Sequence, residues 1–391
     1  MNESSHIYLD YAASTPVDPR VASRMSECLS TFELQGNPAS LSHRFGRAAR
    51  EVIEQARVQV ANAIGASPAC IVWTSGATES DNLAIFGVAK YHADRGKHII
   101  SARTEHKAVL EPLKRLEKQG FKVTYLKPDQ HGIVQPEQVQ AALTPETILV
   151  SLMHVNNETG VVQDIAAIGQ QCRIHNVLLH VDAAQSAGRL HIDVQAMDID
   201  LLSCTAHKIY GPKGIGALYI RRQPVLGMEP MILGGGHEFG MRAGTLATQQ
   251  IVGFGLAMQL MVAERDADNI RISVLREKLW QGLQAMGEVE RNGHATQCVS
   301  GILNVAIHGV EGESLLFALG DLAISAGAAC STSSDEASYV LRALGRSDQL
   351  AQSSLRFSLG RFNTAADIDV ALQLVTREVR RLRALAPSDL P

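Results

Sequence analysis

A lysine and an aspartate each follow an apolar run of the sequence, in a pattern that suits a carbonyl cofactor. Lys208 lies on a short connection between the runs 199–202 and 216–220, which both have the composition of buried strands. Burial would lower the pKa of such a lysine, which favours Schiff-base formation and general-base chemistry. Upstream, Asp182 ends the apolar run 177–182. The pair indicates pyridoxal phosphate, because the lysine would bind the aldehyde and the aspartate would keep the pyridine nitrogen protonated. A lysine exposed to water and an aspartate that caps the next helix are the alternatives.

The connection at residues 74–80 joins a strand to a helix and suits an anion. Its small residues let a ligand approach the backbone, and the start of the helix offers N–H groups to a phosphate. Thr205 and His207, next to the lysine, could add a hydroxyl and an imidazole donor. The motif is ambiguous by itself, since Thr78 with Asp81 would also make an ordinary helix cap.

Two further polar residues follow apolar strands, where ligand contact is favoured over burial. His106 comes after the strand that ends near Ser101, so it could stack on a flat ring and move protons near neutral pH. Asn157 could donate to the phenolic oxygen of that ring. A merely exposed histidine and a turn position for Asn157 stay open, because the stretch 156–160 is rich in turn residues.

A cysteine and an arginine near the C-terminal end have the surroundings of functional residues. Cys330 lies in the run of small residues 325–334, which predicts an accessible loop. A cysteine there is open to oxidation, so we interpret it as a nucleophile rather than a small buried residue. Arg356 alternates with Leu355 and Phe357, so it points to the opposite face of its strand. It could bind a substrate carboxylate with two hydrogen bonds; otherwise it is a surface charge.

Length and composition indicate a globular protein of two domains. The chain has 391 residues, of which 46% are hydrophobic and 19% charged. Its formal net charge of −4 argues against direct binding of nucleic acid. Neither a signal peptide nor an apolar run of about 18 residues is present, so we expect a cytoplasmic protein without a membrane segment. The six cysteines lie far apart, which predicts neither disulfides nor a metal site.

The elements that must position these residues alternate between strand and helix from about residue 50 to 260. This pattern predicts βαβ units and a mainly parallel sheet. A second unit contains strands at 302–307, 322–325 and 355–359, and then a helix that starts with a capping box between Thr364 and Asp367. We therefore predict a large domain over 15–260 and a small α+β domain built from 1–14 and 261–391.

As a set, these motifs resemble the cysteine desulfurases of the IscS/NifS type, which are fold-type I pyridoxal phosphate enzymes. The resemblance extends from Ile7 to about Leu385. Its most specific stretches are Thr-Ser-Gly-Ala-Thr-Glu-Ser-Asp-Asn (74–82), Thr-Glu-His-Lys-Ala-Val (104–109), His-Val-Asn-Asn-Glu-Thr-Gly (154–160), His-Val-Asp-Ala-Ala-Gln-Ser (180–186), Ala-His-Lys-Ile-Tyr-Gly-Pro-Lys-Gly (206–214), Gly-Gly-Gly-His-Glu (234–238), Met-Arg-Ala-Gly-Thr (241–245) and Ser-Leu-Arg-Phe-Ser-Leu-Gly-Arg (354–361).

The resemblance implies a class-V aminotransferase-like α/β fold with a seven-stranded, mainly parallel sheet flanked by helices, plus a smaller α+β domain that carries the cysteine loop. It implies conversion of L-cysteine to L-alanine, with the sulfur captured as a persulfide on Cys330. Sulfur-acceptor proteins, such as an iron–sulfur scaffold or a tRNA-thiolation relay, would then take the sulfur.

The resemblance also assigns roles to the candidate residues. Lys208 would form the Schiff base and take the Cα proton, His106 would stack on the ring, and Asp182 would pair with the pyridine nitrogen. Arg356 and Asn157 would hold the substrate carboxylate. The other implied cofactor contacts are Gln185 at the ring, the Ala77 N–H, Thr78, Thr205 and His207 at the phosphate, and Thr245 reaching the phosphate from the neighbouring subunit of a homodimer.

The sequence departs from the common family pattern at a few positions. Ala184 replaces a threonine, Thr205 stands where a serine is common, and the chain stops at Pro391, which weakens the expectation of scaffold binding. Two other functions are weighed against the desulfurase. A selenocysteine lyase or an aminotransferase would keep the fold, although an aminotransferase would not need Cys330. A non-catalytic sulfur-relay subunit would need neither Lys208 nor the other cofactor residues.

Overall fold

A seven-stranded sheet lies at the centre of the computed structural model, which describes residues 6–326 and 337–385. The strands are β1 (Ile7–Tyr8), β2 (Ile71–Thr74), β3 (His98–Ala102), β4 (Lys122–Leu126), β5 (Thr147–Met153), β6 (Leu178–Asp182), β7 (Leu201–Thr205), β8 (Gly216–Ile220), β9 (Val289–Asn292), β10 (Ile302–Ile307), β11 (Leu322–Ala323), β12 (Ser325–Ala326) and β13 (Ser354–Ser358).

Helices cover both faces of this sheet and the smaller unit. They are α1 (Pro19–Ser30), α2 (Arg44–Ala63), α3 (Ala77–Tyr91), α4 (Lys107–Glu117), α5 (Pro136–Ala142), α6 (Ile165–Ile174), α7 (Thr248–Gln284), α8 (Gly312–Ala318), α9 (Tyr339–Ala343), α10 (Asp348–Gln352) and α11 (Ala365–Leu385). Short 3-10 helices lie at Phe32–Gln35, Pro68–Cys70, Ala206–Lys208 and Glu238–Gly240. Within the described ranges, no helix is long and apolar enough to cross a membrane.

The large sheet has the strand order β2-β8-β7-β6-β5-β3-β4. Strand β8 runs antiparallel to β2 and β7, whereas the other neighbours pair in parallel. This confirms the predicted seven-stranded, mainly parallel α/β sheet. The carboxyl ends of the parallel strands therefore meet at one edge, which is where such sheets bind ligands.

Successive residues of β2 show how the strands use both faces. Trp73 packs on Phe254 of α7, with ring centroids 6.0 Å apart. Val72, one position earlier, lies in the core with Leu83 of α3 on the opposite face. Because both faces of such a strand are buried, its residues form a continuous apolar run, and this run is the signal that predicted the strand.

A smaller antiparallel sheet has the order β12-β13-β10-β9, and β1 pairs in parallel with β11. The predicted strand 322–325 is wrong as a single element: residues 322–323 pair with β1, while residues 325–326 pair with β13. The predicted capping box is confirmed, because the Thr364 N–H donates to Asp367 Oδ2 (2.8 Å) and the Asp367 N–H donates to Thr364 Oγ1 (3.2 Å).

Helix α7 is continuous over 37 residues and contributes to two cores. Phe254 and Met258 pack in the core of the large sheet, whereas Leu275 and Leu279 pack with the smaller sheet and α11. The boundary proposed at residue 260 falls inside this helix. The division into 15–260 and 1–14 with 261–391 stays a prediction.

Candidate active site

A cavity of about 590 Å³ opens at the carboxyl ends of β2, β5, β6 and β7. It brings together most of the candidate residues, which come from six separate stretches of the chain. The predicted site residues that line it are Ala77, Thr78, His106, Asn157, Asp182, Gln185, Thr205, His207, Lys208 and Arg356.

The two remaining candidate residues are Thr245 and Cys330. Thr245 is exposed and lies outside the cavity of its own chain. Cys330 falls outside the described residues.

The predicted Schiff-base lysine lies on the turn after β7. Lys208 ends the short 3-10 helix that follows this strand, and its Nζ donates hydrogen bonds to the carbonyls of Ala12 and Ala13, the latter at 2.8 Å. The lysine carbonyl accepts a hydrogen bond from Nη2 of Arg189 (2.7 Å), which fixes the turn. The amine is therefore held inside the cavity rather than in bulk water.

Two carboxyl groups lie side by side on the floor of the cavity. Asp182 ends β6 and is buried, and its Oδ1 accepts the Ala184 N–H at 2.9 Å. Burial, and then the charge of Asp81, raise the pKa of Asp182 to about 6. Asp81 in α3 is fully buried, and burial raises its pKa to about 7. Such a floor attracts a cation or a protonated nitrogen.

His106 is the N-cap residue of α4, and its Nδ1 accepts the Ala108 N–H at 3.1 Å. Because Nδ1 accepts, the ring proton of the neutral histidine lies on Nε2. Burial lowers the pKa of His106, although the charge of Asp182 opposes this effect. A flat, neutral imidazole therefore faces the cavity.

The start of α3 has the properties of an anion cradle. Gly76 precedes this 15-residue helix without a side-chain cap. Within the described part of the chain, the N–H groups of Gly76, Ala77 and Thr78 have no hydrogen-bond acceptor. Oγ1 of Thr205 lies 3.8 Å from the position that a Cβ at Gly76 would occupy. A helix start with open N–H groups stabilises a phosphate.

His207 borders the same cradle and is bound to the N-terminal segment. Its Nδ1 lies 3.3 Å from Oγ of Ser14. Burial, and then the charge of Lys208, lower the pKa of His207 to about 4. At neutral pH the imidazole is therefore an uncharged hydrogen-bonding group.

The arginine of β13 is 1% exposed, which overturns the alternative of a surface charge. Nη1 of Arg356 donates to the Asn157 carbonyl (2.8 Å), while its Nη2 donates to Asp10 Oδ1 (2.7 Å) and to Ser325 Oγ (2.8 Å). Its Nε is buried and has no acceptor among the described residues. A rigid guanidinium that lines the cavity suits a carboxylate.

Gln185 also lines the cavity, but its amide already has partners. Nε2 donates to the Ala12 carbonyl at 2.8 Å, and Oε1 accepts from Nη1 of Arg189 at 3.3 Å. In this structure the side chain therefore supports the N-terminal segment that also receives Lys208.

Several residues of the cavity wall were not predicted, including Ala12, Ala13, Ser14 and Lys213. The stretch 12–14 has small side chains and contributes mainly carbonyls, so its composition carries no chemical signal. Its position just after β1 was the available hint.

These features fit pyridoxal phosphate. The cradle at α3 matches a phosphate, the Asp182 carboxyl matches a pyridine nitrogen, and the Lys208 amine matches an aldehyde. Within the described residues, no cluster of side chains could hold a metal ion.

Known proteins share both the sequence and the fold. The family model for aminotransferase class-V matches residues 7–371. A cysteine desulfurase IscS of Acinetobacter baumannii (strain AYE) is 58% identical over 382 residues, which cover 97% of this chain and 94% of that protein. A solved NifS-like protein has a TM-score of 0.90 and 34% identity, covering 96% of this chain and 100% of that chain. A structure of SspA in complex with cysteine has a TM-score of 0.82 and 39% identity, covering 92% of this chain and 100% of that chain.

Proposed function

The chain belongs to the class-V aminotransferase family, and we propose that it is a cysteine desulfurase of the IscS/NifS type. Enzymes of this kind depend on pyridoxal phosphate. The protein converts L-cysteine to L-alanine and passes the sulfur to acceptor proteins, for iron–sulfur cluster assembly or a tRNA-thiolation relay.

One observation carries this proposal: Lys208, Asp182 and Arg356 line the same cavity. A pyridoxal phosphate enzyme that acts on an amino acid needs three groups. They are an amine to bind the aldehyde, a carboxyl to pair with the pyridine nitrogen, and a guanidinium to bind the substrate carboxylate. A pure binding subunit would need none of them.

The chain's own residues divide the remaining work. When bound, pyridoxal phosphate supplies the electron sink for the pair released at Cα. Lys208 Nζ would bind the aldehyde until the amine of the substrate displaces it, and the freed Lys208 amine would then take the Cα proton. Asp182 would hold a proton at the ring nitrogen. His106 would stack on the ring, and Gln185 would contact the ring or its phenolic oxygen.

Other residues bind the two anionic groups, which are the phosphate of the cofactor and the carboxylate of the substrate. The N–H of Ala77, the hydroxyls of Thr78 and Thr205, and His207 hold the phosphate. Arg356 binds the substrate carboxylate with help from Asn157, which orients the substrate for proton transfer.

Cys330 is the sulfur acceptor. Its thiolate attacks the sulfur of the substrate and forms the S–S bond of a persulfide on the protein. The carbon–sulfur bond breaks, and its electron pair stays with Cβ, which takes up a proton on the way to L-alanine. The support for this role is the family resemblance of the chain as a whole and the run of small residues 325–334 in which Cys330 lies.

Two subunits share each site, because Thr245 contacts the phosphate of the neighbouring subunit. Its exposed position outside its own cavity supports this arrangement. The enzyme is a cytoplasmic homodimer.

Incubation of the cofactor-loaded protein with L-cysteine tests the function directly. We expect stoichiometric L-alanine and a mass increase of one sulfur on the peptide that contains Cys330. Pyruvate together with aminated cofactor would indicate an aminotransferase instead, and absence of any product would reject the desulfurase.

A further inference from the structure

An arginine outside the cavity is bound to a carboxylate that faces the phosphate cradle. Nε of Arg242 donates to Glu79 Oε1 at 2.8 Å, and its Nη2 lies 3.3 Å from Oε2. Both side chains are mostly buried, with 23% and 17% of their surfaces exposed. Glu79 lines the cavity, whereas Arg242 is not among its lining residues.

The carboxylate is also fixed to the backbone of the cradle. Oε2 of Glu79 accepts the Ser75 N–H at 2.7 Å, so this one group satisfies the N–H just ahead of the open donors at Gly76, Ala77 and Thr78. Burial raises the pKa of Glu79, but the hydrogen bonds from Arg242 and Ser75 lower it below its usual value. Glu79 is therefore an anion in the first turn of α3.

The carboxylate of Glu79 at this position would oppose the binding of a phosphate. The start of a helix favours negative charge, and Glu79 competes with a phosphate for that favourable field. Two negative charges within one turn of each other repel in a partly buried site. A forked guanidinium removes this conflict, because it neutralises the carboxylate while holding it on Ser75.

We propose that Arg242 is a positioning residue for the cofactor phosphate: it neutralises Glu79 and holds it against Ser75, so that the open N–H groups of α3 face the phosphate without a competing charge. This inference rests on the proposed use of pyridoxal phosphate. Arg242 also lies three residues before Thr245, so the same ion pair joins the cradle of one subunit to the segment proposed to serve its partner.

The test compares two ligands on the cofactor-free, full-length protein. Pyridoxal phosphate and pyridoxal both carry the aldehyde for Lys208, but pyridoxal has no phosphate. For Arg242→Gln, we expect the Kd of pyridoxal phosphate to rise about tenfold while the Kd of pyridoxal stays within about twofold of the wild-type value.

Three further variants separate charge from structure. Arg242→Lys keeps the charge and should retain most of the affinity for pyridoxal phosphate. The double variant Glu79→Gln with Arg242→Gln removes both charges and should return the Kd to within about threefold of the wild-type value. Arg173→Gln removes an ion pair with Asp198 away from the cavity and is the matched control.

The outcomes distinguish this inference from the proposed function. Equal losses for both ligands, no rescue in the double variant, or an unchanged Kd in Arg242→Gln would each overturn the role of Arg242. If the wild-type protein binds pyridoxal phosphate no better than pyridoxal, the phosphate cradle itself is wrong, and the proposed function fails with it.

Discussion

Arg356 and Asp10 form an ion pair across 346 positions of the sequence, with Nη2 of the arginine 2.7 Å from Oδ1 of the aspartate. Ser325 Oγ joins the pair, because it donates to Asp10 Oδ1 at 2.8 Å and accepts from Nη2 of Arg356. The pair fixes one edge of the guanidinium and so holds Arg356 at the wall of the cavity. The N-terminal segment is thus part of the proposed substrate site.

Arg356→Lys should weaken substrate binding while leaving the cofactor in place. A lysine keeps the charge but cannot form the fork that holds both Asp10 and a carboxylate. We expect the KM for L-cysteine to rise roughly tenfold to a hundredfold. Steady-state kinetics on the cofactor-loaded variant measure this, with Arg342→Lys, at a pair on the surface, as the control. An unchanged KM would show that another residue binds the carboxylate.

Lys208→Ala should abolish turnover. The variant lacks the amine that binds the aldehyde and takes the Cα proton, so alanine formation should fall by more than about a thousandfold. The absorbance of the Schiff base should disappear as well. The side chain of Lys90 is 72% exposed, so Lys90→Ala is the control and should behave as the wild type. Alanine production at a normal rate would reject the assignment of Lys208.

Cys330→Ser should separate cofactor chemistry from sulfur capture. The variant should still bind pyridoxal phosphate and L-cysteine, because none of the proposed cofactor and carboxylate contacts is made by residue 330. Intact-protein mass spectrometry should detect no added sulfur on it. Cys298→Ser is the matched control, and it should carry the persulfide normally. A persulfide on the Cys330→Ser protein would place the acceptor at another cysteine.

Thr245→Ala tests whether two subunits share a site. Loss of one hydroxyl from the phosphate should raise the Kd of pyridoxal phosphate several-fold, while light scattering still gives the mass of a dimer. Thr296→Ala, at another exposed threonine, is the control. A monomer that is fully loaded with cofactor would contradict the shared site.

The strand ends of the large sheet could be predicted because each joins a buried apolar run to a polar residue. Asp182, His106 and Lys208 were found in this way, and the parallel topology brings them to one edge. Alternation along β13 likewise predicted that Arg356 faces away from Leu355 and Phe357.

Contacts between distant segments could not be predicted from periodicity. The pairing of Asp10 with Arg356, and that of Glu79 with Arg242, depend on how elements pack and not on local propensity. The strand predicted at 322–325 failed for a similar reason, since two short pieces of it pair with different partners. The local sequence pattern therefore predicted which residues belong to the site. It could not predict which neighbouring side chains hold them in place, because those contacts depend on tertiary packing.

Asp81→Asn should change how stability of the cofactor-free protein depends on pH. Asp81 is fully buried, and its Oδ1 lies 3.5 Å from Nε2 of the buried His180. Burial raises its pKa from 3.8 to about 7. The folded state therefore holds a proton that the unfolded state releases, so the stability that this group contributes is present below pH 4 and is lost as the pH rises to 7.

Asparagine cannot ionise, so the variant should escape this loss. The free energy of unfolding of Asp81→Asn minus that of the wild type should increase by about 3 kcal/mol between pH 4 and pH 7 and then level off. Urea unfolding at a series of pH values measures the difference. Asp198→Asn, at an ion pair near the surface, should show no such increase over the same range. A difference for Asp81→Asn that is constant with pH would mean that Asp81 is already ionised at pH 4, and that its neighbours stabilise the charge.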